Sequence, residues 1–413
     1  MSALTVTARG QVTFWRRASL LLVAGIPSPA IPMSAKLSSL FFSTVRRAAR
    51  LQSQALKRAV RVATKAAGKP PAKKPAARKA APGKAGRPVK GSAAALSAPS
   101  HSAGALAPGG GSWQMLVHET TPTRTELLGR LSYGLYRPAS TSLAGMPLVI
   151  MLHGCQQTAV DIAVGSRMNR LAARQGFVVA YPQQMPRVES TRCWRWFEPV
   201  AGKGLAEADA VADLARSLVR RYRLDAGRVY VAGLSAGAGM AALAALRHPG
   251  LFAAVAMHSG AVIAAARDTM SGVRTMRHGS EVDPVSLLAS VSAFDASVSA
   301  FDGSPSGVPA IIVHGSRDRV VSARNAVQLA QQFCAVNGVA AARDTVLAKG
   351  THREYERRDF RGDGRSVVRL CLVKELGHAW SGGDERVKFH SAKGPAASLL
   401  IWRFFEMHRR APA

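Results

Sequence analysis

The sequence predicts an α/β fold, a mostly parallel sheet with helices on both faces, and two observations carry that expectation. From about residue 130 onward, short apolar runs alternate with longer amphipathic stretches, the pattern of strands joined by helical crossovers. One serine pentapeptide, Gly233-Leu234-Ser235-Ala236-Gly237, sits where such a run passes into a helix-like stretch.

Strands are expected near 131–137, 148–153, 177–181, 228–234, 252–257, 310–314 and 366–374. Each is a short run of apolar residues bounded by turn formers; the continuous apolar character of Leu148-Val149-Ile150-Met151-Leu152 suits a strand covered on both faces. Helices are expected near 161–175, 206–222, 236–247, 322–337 and 394–407. In the second of these, Val211, Leu214, Leu218 and Val219 recur among charged residues, the apolar stripe of a helix lying on a sheet. A longer piece, about 261–308, repeats Ser292-Ala293-Phe294-Asp295 as Ser299-Ala300-Phe301-Asp302. It is either part of a lid or an ordinary surface insertion.

A hydroxyl is a weak nucleophile and needs a base, a carboxylate to hold that base, and donors for the developing oxyanion. A strained strand-to-helix turn lifts a serine out of the sheet, so Ser235 is the candidate nucleophile. Past the strand-like Pro309-Ala310-Ile311-Ile312-Val313-His314-Gly315 lies Asp318, the candidate acid, and in a glycine-rich loop past the run ending at Val373 lies His378, the candidate base. Each follows a strand, where the loops of an open α/β sheet gather around a site. His248, His258, His352, His390 and His408 fit the role less well: His248 precedes Pro249 at a helix end, His258 closes a strand, and the others fall in charged stretches. Oxyanion donors are expected at the backbone N–H groups of Ala236 and Cys155. His153 is expected to brace the second of these loops rather than to move protons.

These residues resemble the polyhydroxybutyrate depolymerase family of α/β-hydrolase esterases. The matching pieces are Leu152-His153-Gly154-Cys155 with Gln157-Thr158, Gly176-Phe177-Val178-Val179 with Tyr181-Pro182-Gln183-Gln184, and Cys193-Trp194-Arg195-Trp196-Phe197. Gly233-Leu234-Ser235-Ala236-Gly237-Ala238, His314-Gly315 with Asp318, and Gly377-His378-Ala379-Trp380 complete them, over about residues 125 to 408. The resemblance implies the α/β-hydrolase fold, a serine esterase with no metal or organic cofactor, and an ester or polyester substrate, foremost amorphous or oligomeric poly(3-hydroxybutyrate) or a short hydroxyacyl ester. Feruloyl and acetylxylan esterases share the core and remain alternatives. Trp194, Trp196 and Trp380 become candidates for the substrate pocket wall. Arg195 stands where an asparagine is usual, Gly202-Lys203-Gly204 carries Glu207 displaced from its usual spacing, and Ser381 replaces a common proline, so pocket shape and charge are open. The chain shows no fibronectin-like linker or carboxyl-terminal substrate-binding domain, so efficient attack on crystalline polymer is not expected.

Length and charge divide the 413-residue chain in two. Residues 1–112 hold 19 Lys and Arg and neither Asp nor Glu, so of a net +32 the remainder carries +13. The catalytic domain is expected over 113–413, after a disordered basic tail. Within the tail, residues 67–112 are too rich in Lys, Pro, Ala and Gly to bury a core and read as a flexible linker. Residues 36–66 place Leu37, Leu40, Phe41, Val45, Leu56 and Val60 at near-helical spacing among arginines and lysines. Such a segment suits a polymer-granule or membrane surface, or else docks on another protein. Nucleic acid is the weaker partner for the tail, which has basic runs for phosphates but no interleaved aromatics for bases. A surface-binding protein with a retired hydrolase scaffold is the reading of a different class.

Residues 1–35 read as a secretory signal, with Arg16-Arg17 ahead of an apolar run too short to span a membrane, or as an extension upstream of a start at Met33. Export is favoured, with an intracellular site at polymer granules as the alternative. Cys155, Cys193, Cys334 and Cys371 lack metal-ligand spacing and allow three pairings. The resemblance brings Cys155 and Cys193 near the site and so implies a bridge between them; Cys334 and Cys371 either pair or stay as buried thiols.

Overall fold

A computed structural model of the chain describes residues 103–120, 129–198, 202–289, 307–340 and 342–411. The tail segments expected over 1–35, 36–66 and most of 67–112 lie outside the described residues, as does the Ser-Ala-Phe-Asp repeat.

Among the described residues ten strands form one sheet in the order β1-β2-β4-β3-β5-β6-β7-β10-β9-β8. They are β1 (Ser112–Glu119), β2 (Arg130–Arg137), β3 (Leu148–Leu152), β4 (Val178–Gln183), β5 (Val229–Leu234), β6 (Ala254–His258), β7 (Ala310–Gly315), β8 (Ala342–Leu347), β9 (Tyr355–Gly362) and β10 (Arg365–Val373). The six central strands, from β4 through β10, run parallel, and an antiparallel pair flanks them on each side. All residues of β3, β5, β6 and β7 are buried, as their uninterrupted apolar runs require.

Because side chains alternate across a strand, this sheet separates two cores. Leu148, Ile150, Leu152, Val229 and Val231 face one core, with Leu214 and Leu218 of the helix Lys203–Tyr222, Met240 and Leu243 of Ala236–Arg247, and Leu329 and Phe333 of Arg324–Val336. Val149, Met151, Tyr230 and Ala232 face the other, with Ile162 of Ala159–Ser166, Leu171 of Met168–Gln175, and Ile401, Trp402, Phe404 and Phe405 of Ala397–Phe405. There Trp402 stacks on Phe177 at 4.0 Å and Phe405 on Tyr230 at 4.5 Å.

Three expectations need correction. The helix expected over 161–175 is two helices, because Arg167 adopts the left-handed conformation (φ 58°) between them; the first opens on a capping box of Thr158 and Asp161. The domain begins before residue 113: a short helix Ala103–Leu106 and the turn after it dock on the fold, Asn169 donating to the Leu106 carbonyl at 2.8 Å and Tyr136 to that of Pro108 at 2.9 Å. The strands β1, β8 and β9 lie where none was expected: β1 is an edge strand with no buried residue, and the Arg- and Asp-rich sequence of β8 and β9 is that of a solvated hairpin rather than a buried run. Among the described residues no helix is long and apolar enough to cross a membrane.

Phe405 is fully buried and closes the second core against β5. Phe405→Ala should therefore cost about 3–5 kcal/mol, read as a fall in the urea midpoint; a loss under about 1 kcal/mol would mean that this helix is not integral to the fold.

Candidate active site

The backbone reverses at Ser235 with φ 57° and ψ −118°, a conformation that side-chain-bearing residues rarely hold. Its N–H donates to the His258 carbonyl at 2.9 Å and its carbonyl accepts from Ala238 and Gly239, so the turn is tied to β6 on one side and to the following helix on the other. Both flanking glycines are compulsory: a Cβ at Gly233 would lie 2.1 Å from the Gly237 carbonyl oxygen, and one at Gly237 would lie 2.4 Å from that of Leu152. β3 and β5 are neighbours, while the chain passes from β3 to β4 on the opposite side. This reversal of strand order opens a crevice beyond the strand ends, where α/β sheets hold ligands.

Asp318 reaches the same place from the end of β7, and His378 from the end of β10. The two loops are sewn together: Ser316 N–H donates to the Val373 carbonyl at 2.9 Å and Arg317 N–H to that of Leu376 at 3.0 Å. A Cβ at Gly315 would strike the Leu376 carbonyl oxygen at 2.3 Å, so only glycine permits this approach. His378 Nδ1 lies 2.7 Å from Asp318 Oδ2, and His378 Nε2 lies 3.0 Å from Ser235 Oγ. With the Nδ1 proton donated to the carboxylate, the neutral imidazole turns the Nε2 lone pair toward the serine hydroxyl.

Asp318 is buried, and its other oxygen accepts the N–H groups of Val320 and Val321, both at 2.9 Å. Burial alone would raise its pKa. The attraction and hydrogen bond of His378, with His314 and the Val321 N–H, outweigh that and hold the carboxyl below its ordinary value. His314 donates from Nε2 to the Val321 carbonyl at 2.8 Å, with that nitrogen 3.6 Å from Asp318 Oδ2. His258 accepts the Ser381 N–H at 3.1 Å and stacks on Trp380 at 4.9 Å. Burial lowers the pKa of both these histidines. Among the described histidines His378 alone bonds Ser235; His248 pairs with Asp209 at 2.8 Å, at the far end of the helix that Ser235 opens.

Beside the serine, Gly154 passes 3.4 Å from the Ser235 Cβ, measured from the Cβ it lacks. Its N–H donates to Gln157 Oε1 at 2.9 Å, and Gln157 Nε2 donates to the Lys388 carbonyl at 3.0 Å, fastening this loop to the one beyond the base. The N–H groups of Cys155 and Ala236 have no acceptor among the described hydrogen bonds. Cys155 is joined to Cys193 by a disulfide, while Cys334 and Cys371 are free and buried, their thiols pushed up to about 12 by burial.

Trp194, Trp196 and Trp380 do not present faces to the crevice. All are within 3 % of complete burial: Trp194 lies against His153, Trp196 under Gly239, and Trp380 on His258. Their place is packing behind the site. The aromatic ring that does border His378 is Phe389, half-buried and edge-on to it at 6.2 Å. Sequence reasoning passed over it, and it placed Gln157, Gln184 and Glu207 in or beside the matching motifs without giving them a function, because their partners lie on other segments of the chain.

The model of the family described as Esterase PHB depolymerase matches residues 131–358. The chain is 30% identical over 239 residues to the poly(3-hydroxyalkanoate) depolymerase C of Paucimonas lemoignei, covering 57% of this chain and 55% of that protein. It is 28% identical over 213 residues to the acetylxylan esterase A of Talaromyces purpureogenus, covering 51% of this chain and 54% of that protein. The chain thus spans about half the length of these curated relatives. Among solved structures, the acetyl xylan esterase from Aspergillus awamori superposes with a TM-score of 0.52 at 22% identity, covering 65% of this chain and 94% of that one. That likeness identifies the α/β-hydrolase fold.

The buried histidines set an acid limit on the fold. Burial holds His153, His390 and His408 at pKa values of about 4, below the ~6.5 of an unfolded chain. Between those values the unfolded chain binds protons that the folded chain refuses, so stability falls as pH drops from about 6.5 to about 4. Glu207, pushed up to about 7 by burial, acts in the opposite sense, but as one group against these three and the likewise lowered His258 and His314. The urea midpoint should therefore fall between pH 7 and pH 4.5; a midpoint that rises over that range would contradict this account.

Proposed function

The chain belongs to the Esterase PHB depolymerase family, and from that premise we propose that it is a serine esterase cleaving carboxylic esters through an acyl-enzyme. The observation that carries the reading is the continuous line of hydrogen bonds from Asp318 through His378 to Ser235, at the ends of three parallel strands. Ser235 Oγ attacks the ester carbonyl as His378 Nε2 takes its proton. Asp318 keeps the proton on Nδ1 and stabilises the imidazolium that forms. The oxyanion is received by the N–H groups of Cys155 and Ala236. His378 then gives its proton to the departing alkoxide. Water, deprotonated by the same imidazole, releases the acid and restores the serine.

The substrate we favour is amorphous or oligomeric poly(3-hydroxybutyrate), or another short hydroxyacyl ester, in line with the Paucimonas relative. The acetylxylan esterase relatives favour a second reading, deacetylation of a polysaccharide. The basic segment 36–66, outside the described residues, would hold the enzyme on a polymer granule or an anionic membrane. Deleting it should abolish granule binding and leave hydrolysis of a soluble ester intact; unchanged binding would remove that role.

Ser235→Ala should lower kcat/KM on a short p-nitrophenyl ester by at least about 10⁴-fold, and Asp318→Asn by roughly 10³–10⁴-fold. Acid release from amorphous poly(3-hydroxybutyrate) and from acetylated xylan, measured side by side, assigns the substrate. Turnover that survives Ser235→Ala would overturn the proposed mechanism.

A further inference from the structure

We propose that Glu207 is a positioning residue for oxyanion stabilisation, one buried carboxylate that anchors both flanks of the loop presenting the Cys155 N–H. The inference rests on the serine-esterase reading and assigns a role that the triad does not.

Glu207 sits in the helix Lys203–Tyr222, 2 % exposed, where a carboxylate has no reason to be unless something requires it. Its hydrogen bonds go to amide N–H groups: Oε1 accepts from Gln184 Nε2 at 2.6 Å and Oε2 from the Arg195 backbone at 2.7 Å. The Arg195 guanidinium turns instead to Glu189 and Glu198.

The first bond opens a chain leading to the oxyanion loop. Gln184, itself buried, accepts the Met185 N–H on Oε1 at 3.1 Å and gives its own backbone N–H to His153 Nε2 at 3.0 Å. An imidazole that accepts on Nε2 carries its proton on Nδ1, and His153 Nδ1 lies 2.8 Å from the Gly154 carbonyl oxygen. Burial keeps this ring neutral at ordinary pH. The Gly154 carbonyl and the Cys155 N–H belong to one planar trans peptide and point in opposite directions. Holding the carbonyl toward His153 therefore aims the N–H away from it.

The second bond fixes the other flank. Arg195 follows Cys193 by two residues, and Cys193 is covalently joined to Cys155; nearby, the Gln156 N–H donates to the Thr191 carbonyl at 2.7 Å. Both arms converge on the one carboxylate, and donor and acceptor roles along them are matched throughout.

That matching supplies the test. In Glu207→Gln an amide NH2 must face one of two donors, and in Gln184→Glu two carboxylates face each other. The double exchange, Glu207→Gln with Gln184→Glu, restores every role with isosteric side chains: the new amide oxygen accepts from Arg195, its NH2 donates to the new carboxylate, and that carboxylate still accepts from Met185. Full-length variants are assayed on a p-nitrophenyl ester beside wild type and Ser235→Ala, at a pH above the Glu207 value of about 7 so that its carboxyl is ionised, and well below the lowest melting midpoint among them. Each single variant should lose about 10- to 100-fold in kcat with KM within about twofold, and the double exchange should recover most of that loss. Wild-type kcat in both single variants, or no recovery in the exchange, overturns the proposal. If Glu207→Gln fails to fold, Gln184→Glu and the exchange still decide the matter. A wild type without Ser235-dependent turnover would instead strike at the esterase reading, and Ser235→Ala reports that separately.

Discussion

The backbone of Ser235 is the constraint on which the site depends. A residue with a side chain at φ 57° and ψ −118° costs on the order of 1–3 kcal/mol, and the surrounding fold holds it there. The contacts that do so are short and backbone-to-backbone: Gly233 against Gly237, Gly237 against the Leu152 and His153 carbonyls, Ser235 against His258. They require β3, β5 and β6 to lie side by side, with two cores pressing on the sheet from opposite faces. Of the other side-chain-bearing residues with positive φ, Gln156 and Arg192 are the immediate neighbours of the bridged Cys155 and Cys193 and Phe389 lies edge-on to His378, whereas Arg167, Arg223, Ala348 and Asp363 end helices and strands elsewhere.

Electrostatics separates residues that look alike in sequence. Three histidines lie in and behind the site, yet His258 and His314 are fully buried, His258 with both nitrogens on fixed partners and His314 with its Nε2 on the Val321 carbonyl and its Nδ1 shut away from any. His378 alone has one nitrogen on a carboxylate and the other on a half-exposed hydroxyl. Asp318 differs from Glu207, another buried carboxylate, in the same way: a neighbouring imidazole keeps the first acidic, whereas amide donors leave the second raised by burial.

The parts of this arrangement that the sequence discloses are those carried by uninterrupted apolar runs. Strands β3 through β7 and the helix after Ser235 are readable because burial on both faces leaves a continuous signal, and the three polar residues just past such strands fall together for topological reasons. Sequence reasoning erred where local pattern and tertiary role diverge. The β8–β9 hairpin is charged enough to read as loop; the helix breaks at Arg167, itself neither glycine nor proline; the three tryptophans look like pocket residues and are core. Gln157, Gln184 and Glu207 owe their roles to partners as many as 231 residues away, which no local pattern encodes.

The charged hairpin that sequence reasoning missed has a consequence for how the molecule meets its neighbours. A terminal strand offers unpaired backbone groups on which a foreign chain can zip. Here that strand is β8, mostly solvent-exposed, with Arg343 and Asp344 along it and Asp344 clasped by Arg358 of β9 through two contacts of 2.6 Å. An incoming strand would have to desolvate those ions or displace the clasp, so the hairpin acts as a gatekeeper against edge-to-edge aggregation on that side, where crowding would otherwise favour growth of the sheet.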